Sequence, residues 1–257
     1  MSESSSAKHT PLIRRSALER LSRLSLVAAF FALAGLVCTA GAIAQKPPPV
    51  MTAVAFVSTS IPYPTPTITP TPTPVPPPVA LLAGHSGGTD TGAVCPDGLR
   101  EVDITVDVAN RAKLFLEARG YRVEILAEFD RRLNATRRDY NPRVFLSIHV
   151  DSCIMYASGY KVARAEYSAI PQEDDRLVRC VSYAYAATTQ LAFHEGSITR
   201  DMTHYHALNE INANVPGAII ELGFLGADKK LLKERRDALA LGIADGLDRF
   251  VQGGQCQ

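Results

Sequence analysis

Residues 101–126, EVDITVDVANRAKLFLEARGYRVEIL, decide the fold class of this chain. Apolar residues recur at helical spacing as far as Leu116, and Gly120 stands where a helix would end. The alternating pattern from Tyr121 to Leu126 then predicts a strand. Upstream, Val79 to Gly84 is a short apolar run typical of a buried strand. Strand, helix and strand together form the βαβ unit of an α/β fold.

Further elements follow downstream. Arg143 to Val150 is apolar enough to predict an interior strand, and Gly217 to Gly223 predicts another. A strand over Gly159 to Ala165, a helix over Gln172 to Leu191 and a final helix capped by Asp228 complete the set. We therefore expect one three-layer α/β domain, in which a mostly parallel twisted central sheet carries helices on both faces. The strand order stays open.

The composition changes abruptly ahead of this domain. Residues 1–24 are polar and basic, whereas residues 25–44 form an apolar segment long enough to span a bilayer. Ala42-Ile43-Ala44 at its end has the small-x-small form that signal peptidases accept. A cleaved signal peptide and a transmembrane anchor both remain open. Either one sends the rest of the chain out of the cytoplasm, with membrane contact through this segment only.

Residues 45–78 hold most of the 17 prolines, with threonines between them. Proline fixes φ and removes backbone donors, so this stretch predicts a semi-rigid polyproline II linker. Residues 79–257 are then the working domain. The formal net charge of the chain is +1, which gives no basic excess for nucleic-acid binding, and we expect no nucleic-acid partner.

The cysteines agree with export. Cys38 lies in the apolar segment, and the other four belong to the working domain, namely Cys95, Cys153, Cys180 and Cys256. An even number suits two disulfides in an oxidising compartment. These residues alone leave all three pairings open.

The stretch Gly84-His85-Ser86-Gly87-Gly88 admits three chemistries: a serine nucleophile, a phosphate-binding loop or a metal ligand. The first two need a helix that begins directly after the turn. The following residues, GGTDTGAVCPDG, are turn formers and contain Pro96, so no helix can begin there. His85 as a metal ligand is the interpretation that we favour, while His194, His204 and His206 downstream keep a serine hydrolase open as an alternative.

Other residues support the metal interpretation. In open α/β sheets the site lies beyond the carboxyl ends of the strands, where His85, His149 and Glu221 each fall. Glu101 begins the helix that returns from the same edge. Two histidines and one carboxylate suit zinc and leave its fourth position for water. Glu221 lies in an apolar strand, where burial of an acid is costly unless it is paired or functional.

Four blocks of the chain resemble, in order and spacing, the zinc-dependent N-acetylmuramoyl-L-alanine amidases that cleave bacterial peptidoglycan. The blocks are GHSGGTDTGAV at 84–94, the stretch 101–126, FLSIHVD at 145–151 and PGAIIELGFL at 216–225. The resemblance implies that His85, Glu101 and His149 bind Zn²⁺ and that Glu221 is catalytic. It also implies that Gly87, Gly88 and Gly92 shape the loop around the first ligand.

The implied reaction is hydrolysis of the amide bond between N-acetylmuramic acid and L-alanine by a metal-activated water, with Glu221 as general base and then acid. Peptidoglycan is then the substrate, and the protein is secreted, periplasmic or anchored facing the cell wall. We expect a monomer and identify no regulatory partner. Two alternatives stay open: a zinc peptidase acting on stem peptides, and a non-catalytic peptidoglycan-binding or regulatory domain.

The chain departs from this family at two places. Leu82-Ala83 replaces the usual Asp-Pro, which should alter loop packing more than chemistry. Asp151 replaces the usual Asn, adds a carboxylate near the metal and puts substrate positioning or metal affinity in question. Cys95 and Cys153 flank the ligand loops, and we hypothesise a disulfide between them. Tyr205 and His206 are candidates for lining the cleft.

Overall fold

The computed structural model describes residues 75–256. The predicted basic segment 1–24, the apolar segment 25–44 and most of the linker 45–78 lie outside the described residues. Within residues 75–256, none of the helices combines the length and the apolarity that crossing a membrane would require.

The described chain folds into five strands, five α-helices and two short 3₁₀ helices. The strands are β1 Val79–Ala83, β2 Val123–Leu126, β3 Val144–Asp151, β4 Lys161–Ala163 and β5 Gly217–Phe224. The helices are α1 Glu101–Glu117, α2 Pro171–Thr189, α3 Arg200–Thr203, α4 Lys229–Glu234 and α5 Arg236–Val251. The 3₁₀ helices are Glu195–Ser197 and His206–Asn209. Each predicted strand is present and α1 and α2 match predicted helices, with ends shifted by a few residues, whereas the predicted final helix is divided into α4 and α5.

The sheet has the strand order β2-β1-β3-β5-β4. All neighbouring strands are parallel except β4, which pairs antiparallel with β5 at the sheet edge. The prediction of a mostly parallel sheet is therefore confirmed. This order places β1, β3 and β5 side by side, so the carboxyl ends of the three strands that carry His85, His149 and Glu221 lie next to one another.

The two faces of the sheet are covered differently. The long helices α1, α2 and α5 pack on one face against apolar side chains such as Leu81, Leu146 and Ile220. The other face, which includes Phe145 and Ile219, is covered by α3, the 3₁₀ helix His206–Asn209 and the loops around them. Helices on both faces are thus present, but on the second face they are short.

The prediction that Asp228 caps one final helix is wrong. The helical stretch is interrupted at Arg235, whose φ of −123° and ψ of 38° are not helical, so α4 and α5 are separate. The Asp228 side chain makes no capping bond. Its Oδ2 instead accepts the N–H groups of Phe224 at 2.8 Å and Gly159 at 3.0 Å, which ties the end of β5 to the turn before β4.

Two disulfides join Cys95 to Cys153 and Cys180 to Cys256. The first confirms the hypothesised pairing, and the second settles the remaining one. The Cys95–Cys153 bond connects the turn ahead of α1 with the segment that follows β3. It therefore fixes, relative to each other, the two stretches that carry Glu101 and His149.

Candidate metal centre and active site

His85 occupies the turn that directly follows β1. Its φ is 60°, a left-handed conformation that non-glycine residues seldom adopt. Its ring Nδ1 lies 2.9 Å from Asp90 Oδ2, and its Nε2 lies 3.5 Å from Glu101 Oε2. The Asp90 contact fixes the rotation of the imidazole, so that Nε2 is aimed at the Glu101 carboxylate.

Glu101 is the first residue of α1 and is buried. Its Oε2 accepts the N–H of Ala93 at 3.0 Å, and its Oε1 accepts the N–H of Val150 at 2.9 Å. The same Oε1 lies 3.2 Å from Nδ1 of His149. The carboxylate therefore lies between the two imidazoles, held by one backbone N–H on each side.

His149 is buried near the end of β3, and its ring meets that of His85 edge-on with centroids 5.2 Å apart. One ligand atom from each of His85, Glu101 and His149 lies within 4.8 Å of the other two. Among the described residues, Nε2 of His149 is buried without a hydrogen-bond partner. Two imidazoles and one carboxylate converging in this way fit a zinc-type metal ion. The structure thus brings together the three residues predicted as metal ligands.

Two glycines make this convergence sterically feasible. A Cβ on Gly92, whose φ is +68°, would lie 2.4 Å from Glu101 Oε2 and 2.7 Å from His85 Cδ2. A Cβ on Gly84 would lie 2.5 Å from Cε1 of His149, a close approach that the sequence analysis did not identify. Of the other predicted loop glycines, Gly87 packs closely against Ala127, whereas Gly88 has open space around it.

Glu221 lies beside His149. The two residues are register partners on β3 and β5, and Lys161 on β4 is the register partner of Glu221 on the other side. Oε2 of Glu221 is buried and, among the described residues, has no hydrogen-bond partner. Burial, reinforced by the charge of Glu101, raises the pKa of Glu221 well above its ordinary value, with Lys161 opposing. A carboxyl group with a raised pKa holds a proton more readily than an ordinary glutamate, as a group that transfers protons in a reaction must.

Asp151, the departure from the family pattern, is paired with Lys161. The Lys161 side chain is only 2% exposed, and its ammonium group donates a hydrogen bond to Asp151 Oδ2 and another, at 3.2 Å, to the carbonyl of Ser197. Asp151 Oδ1 also accepts the N–H of Ser152 at 2.6 Å. The additional carboxylate near the metal ligands is therefore balanced by a buried cation that the sequence analysis did not connect with it.

Glu128 is the other residue that the sequence analysis missed. Its Oε2 accepts the N–H of His85 at 2.6 Å, and its Oε1 accepts a hydrogen bond from the Tyr205 hydroxyl and lies 3.0 Å from His206 Nε2. Burial opposes ionisation, but the contacts with His206 and Tyr205 and the nearby His149 outweigh it and lower the pKa of Glu128 to about 2.

A sequence signal for Glu128 existed, because it lies two residues after the end of β2, as His85 lies two residues after the end of β1. Tyr205 and His206, predicted as candidates for the cleft, lie beside the metal centre: the Tyr205 ring meets the His149 ring edge-on at 5.1 Å. Both residues thus come from the segment that covers the second face of the sheet, at the start of the 3₁₀ helix His206–Asn209.

Solved amidase structures share this fold. Ami1 from Mycobacterium smegmatis matches with a TM-score of 0.56 and 19% identity over 68% of this chain and 96% of that chain. Ami1 from Mycobacterium abscessus matches with a TM-score of 0.53 and 17% identity over 69% of this chain and 100% of that chain. The CwlD amidase from Clostridioides difficile, solved in complex with the GerS lipoprotein, matches with a TM-score of 0.52 and 19% identity over 69% of this chain and 99% of that chain.

A sequence comparison with curated proteins finds no match. The family model of N-acetylmuramoyl-L-alanine amidases, in contrast, matches residues 79–249, a range that includes every strand of the sheet and all four predicted site residues. The chain belongs to the N-acetylmuramoyl-L-alanine amidase family, and its activity is hydrolysis of the amide bond between N-acetylmuramic acid and L-alanine in peptidoglycan.

Proposed function

We propose that this amidase is a zinc enzyme in which His85, Glu101 and His149 bind the metal and Glu221 moves the protons of the reaction. The observation that carries the proposal is the convergence of one donor atom from each of the three ligands within 4.8 Å. Glu101 also lies between the two imidazoles, 3.5 Å from His85 Nε2 and 3.2 Å from His149 Nδ1, which supports the proposal as well.

Zinc is favoured over other metals by the ligand types. Two neutral imidazoles and one carboxylate, with a position left for water, are typical of catalytic zinc sites. When bound, zinc supplies Lewis acidity that polarises the scissile carbonyl and lowers the pKa of water.

Glu221 is proposed as general base and then general acid. It lies level with His149 on the adjacent strand, so its carboxylate borders the metal site. It takes a proton from the attacking water as the new C–O bond forms at the lactyl carbonyl carbon. It then gives a proton to the nitrogen of L-alanine as the C–N bond breaks, which releases a neutral amine. Proton transfer of this kind typically contributes 10²–10⁴-fold to the rate, an order-of-magnitude range.

We also propose an extracytoplasmic location. The substrate is a cell-wall polymer, and the domain contains two disulfides, which persist in oxidising compartments. The apolar segment 25–44 would provide export as a signal peptide or an anchor. We also propose that the protein is a monomer, and the identity of any regulatory partner stays open.

The decisive experiment is digestion of purified peptidoglycan by the 257-residue chain, followed by mass analysis of the soluble fragments. We expect intact stem peptides that begin with a free L-alanine amine, loss of their release with a chelator, and recovery when zinc is added back. Fragments cut inside the stem would identify a stem peptidase instead. Release that is insensitive to a chelator would contradict the metal site, and no release with zinc present would favour a binding domain.

A further inference from the structure

The unusual backbone of His85 is held by a side chain from another strand. Its left-handed conformation, with a φ of 60°, is one that a non-glycine residue seldom adopts. The N–H of His85 donates to Glu128 Oε2 at 2.6 Å. In return, the N–H of Glu128 donates to the carbonyl of Ser86 at 3.1 Å. The turn that carries the first metal ligand is therefore clamped to the residue after β2.

The same carboxylate faces the second histidine ligand. Nδ1 of His149 lies 3.2 Å from Glu101 Oε1, on the side of the metal centre, and Nε2 lies 3.9 Å from Glu128 Oε2, on the opposite side of the ring. Metal-binding histidines characteristically direct their second ring nitrogen at a carboxylate or carbonyl, which fixes the ring orientation and raises the basicity of the ligand. Glu128 lies on that side of His149, and at 3.9 Å the contact is electrostatic and not a hydrogen bond.

Glu128 is itself rigidly held, as a positioning group must be. It is only 7% exposed, and its second oxygen is engaged by the Tyr205 hydroxyl and by His206. His206 is fixed in turn by stacking on Phe129, with ring centroids 4.9 Å apart, and by Glu210 at its Nδ1. The orientation of the Glu128 carboxylate thus does not depend on a metal ion.

We propose that Glu128 is a positioning residue of the metal centre, which holds the His85 turn in its left-handed conformation and orients the His149 ring from the side opposite Glu101. This inference rests on the proposed function, since it takes His85 and His149 as ligands. The site would then depend on three acidic residues: Glu101 as a metal ligand, Glu221 as the proton carrier and Glu128 as a support that does not bind the metal.

The test is the zinc affinity of Glu128→Ala and Glu128→Gln in the 257-residue chain, measured by competition with a chromophoric chelator. We expect Glu128→Ala to bind zinc 10–100-fold more weakly, the order of effect seen when such outer partners are removed. Glu128→Gln should lose several-fold only, because its amide oxygen can still accept the His85 N–H. The control is Glu234→Gln, at an exposed position of α4, which should keep the parent affinity.

Circular dichroism and the unfolding midpoint of the metal-free variants separate positioning from folding, since a purely structural role would lower the midpoint and leave the zinc affinity of the folded protein unchanged. A folded Glu128→Ala that binds zinc within twofold of the parent would overturn the inference. If that variant does not fold, parent affinity in Glu128→Gln would overturn it equally. His149→Ala is measured alongside: if it binds zinc like the parent, the metal site itself is wrong, whereas its failure to bind leaves only Glu128 in question.

Discussion

His149 and Glu221 occupy the same level of the adjacent parallel strands β3 and β5. Side chains of register partners on neighbouring strands lie on the same face of a sheet. A proposed metal ligand and the proposed proton carrier are therefore set side by side by two interior strands, without dependence on a loop. Both strands are nearly fully buried, so the spacing of the two groups is rigid. This arrangement makes the roles of the two residues separable by mutation.

Glu221→Gln should abolish turnover while zinc stays bound. The amide keeps the size of the side chain but cannot accept the proton of water, so we expect kcat to fall by at least about 10²-fold. Peptide release from peptidoglycan and zinc content of the purified variant are the two measurements. Glu234→Gln, at an exposed position of α4, is the control and should retain parent activity. Full activity of Glu221→Gln would show that another group moves the proton.

Gly92→Ala should weaken zinc binding more than tenfold. The new Cβ would lie 2.4 Å from Glu101 Oε2 and would also require a left-handed alanine, so the loop or the ligand must shift. Gly88→Ala is the matched control from the same loop, because a Cβ there meets nothing within 4 Å. Chelator competition on both variants compares them directly. Equal affinities would mean that the loop relaxes without moving Glu101.

The site residues that could be predicted from the sequence are those whose position follows from the strands. His85, His149 and Glu221 fall at or near strand ends, and parallel strands bring such ends to one edge. Glu128 and Lys161 were missed because their roles depend on contacts between residues that are apart in the sequence. Glu128 accepts the N–H of His85, which is 43 residues away, and Lys161 donates to Asp151 on another strand. The prediction for Asp228 failed for the same reason. Its carboxylate does not cap the following helix but accepts the N–H of Gly159, which is 69 residues away.

The two disulfides should differ in their effect on the site. Each closes a long loop, with sequence separations of 58 and 76, so replacing either pair by serine should lower the free energy of unfolding by about 4 kcal/mol. Only the double variant Cys95→Ser with Cys153→Ser should also weaken zinc binding, since that bond anchors the stretches bearing Glu101 and His149. Denaturant unfolding and chelator competition test both statements. A zinc affinity lowered equally by loss of Cys180–Cys256 would contradict the second.

Asp174→Asn should stabilise the protein increasingly as the pH rises. Burial raises the pKa of Asp174 above 3.8, although hydrogen bonds from Ser168 and the Gly217 N–H oppose this. Because the pKa of Asp174 is higher in the folded than in the unfolded protein, its contribution to the free energy of unfolding is fully present below the ordinary pKa of 3.8. That contribution is lost as the pH rises through the pKa of the folded protein. Asparagine stays neutral and can still accept the Gly217 N–H. The free energies of unfolding of the parent and of Asp174→Asn, measured with a chelator present at increasing pH from 3.8 upward, should move apart. A difference between the two proteins that does not change with pH would refute the prediction.

Lys161 and Asp151 should be energetically coupled, because a lysine that is 2% exposed needs a partner. Lys161→Met removes the cation and leaves Asp151 facing Glu221 with no compensating charge. Asp151→Asn restores the residue usual in the family but leaves the buried ammonium group without its carboxylate. Each single variant should lower the free energy of unfolding by about 3 kcal/mol, the order expected when one member of a buried ion pair is removed.

The double variant Lys161→Met with Asp151→Asn removes both charges, so it should lose clearly less than the sum of the two single variants. Denaturant unfolding of the parent, both single variants and the double variant forms a complete double-mutant cycle, and the coupling energy is the deviation from additivity. Additive losses would mean that the hydrogen bond between the two groups contributes nothing to stability. Strong coupling would explain why this amidase has Asp at position 151: the carboxylate is required by Lys161, whose ammonium group also balances the acid cluster around Glu221.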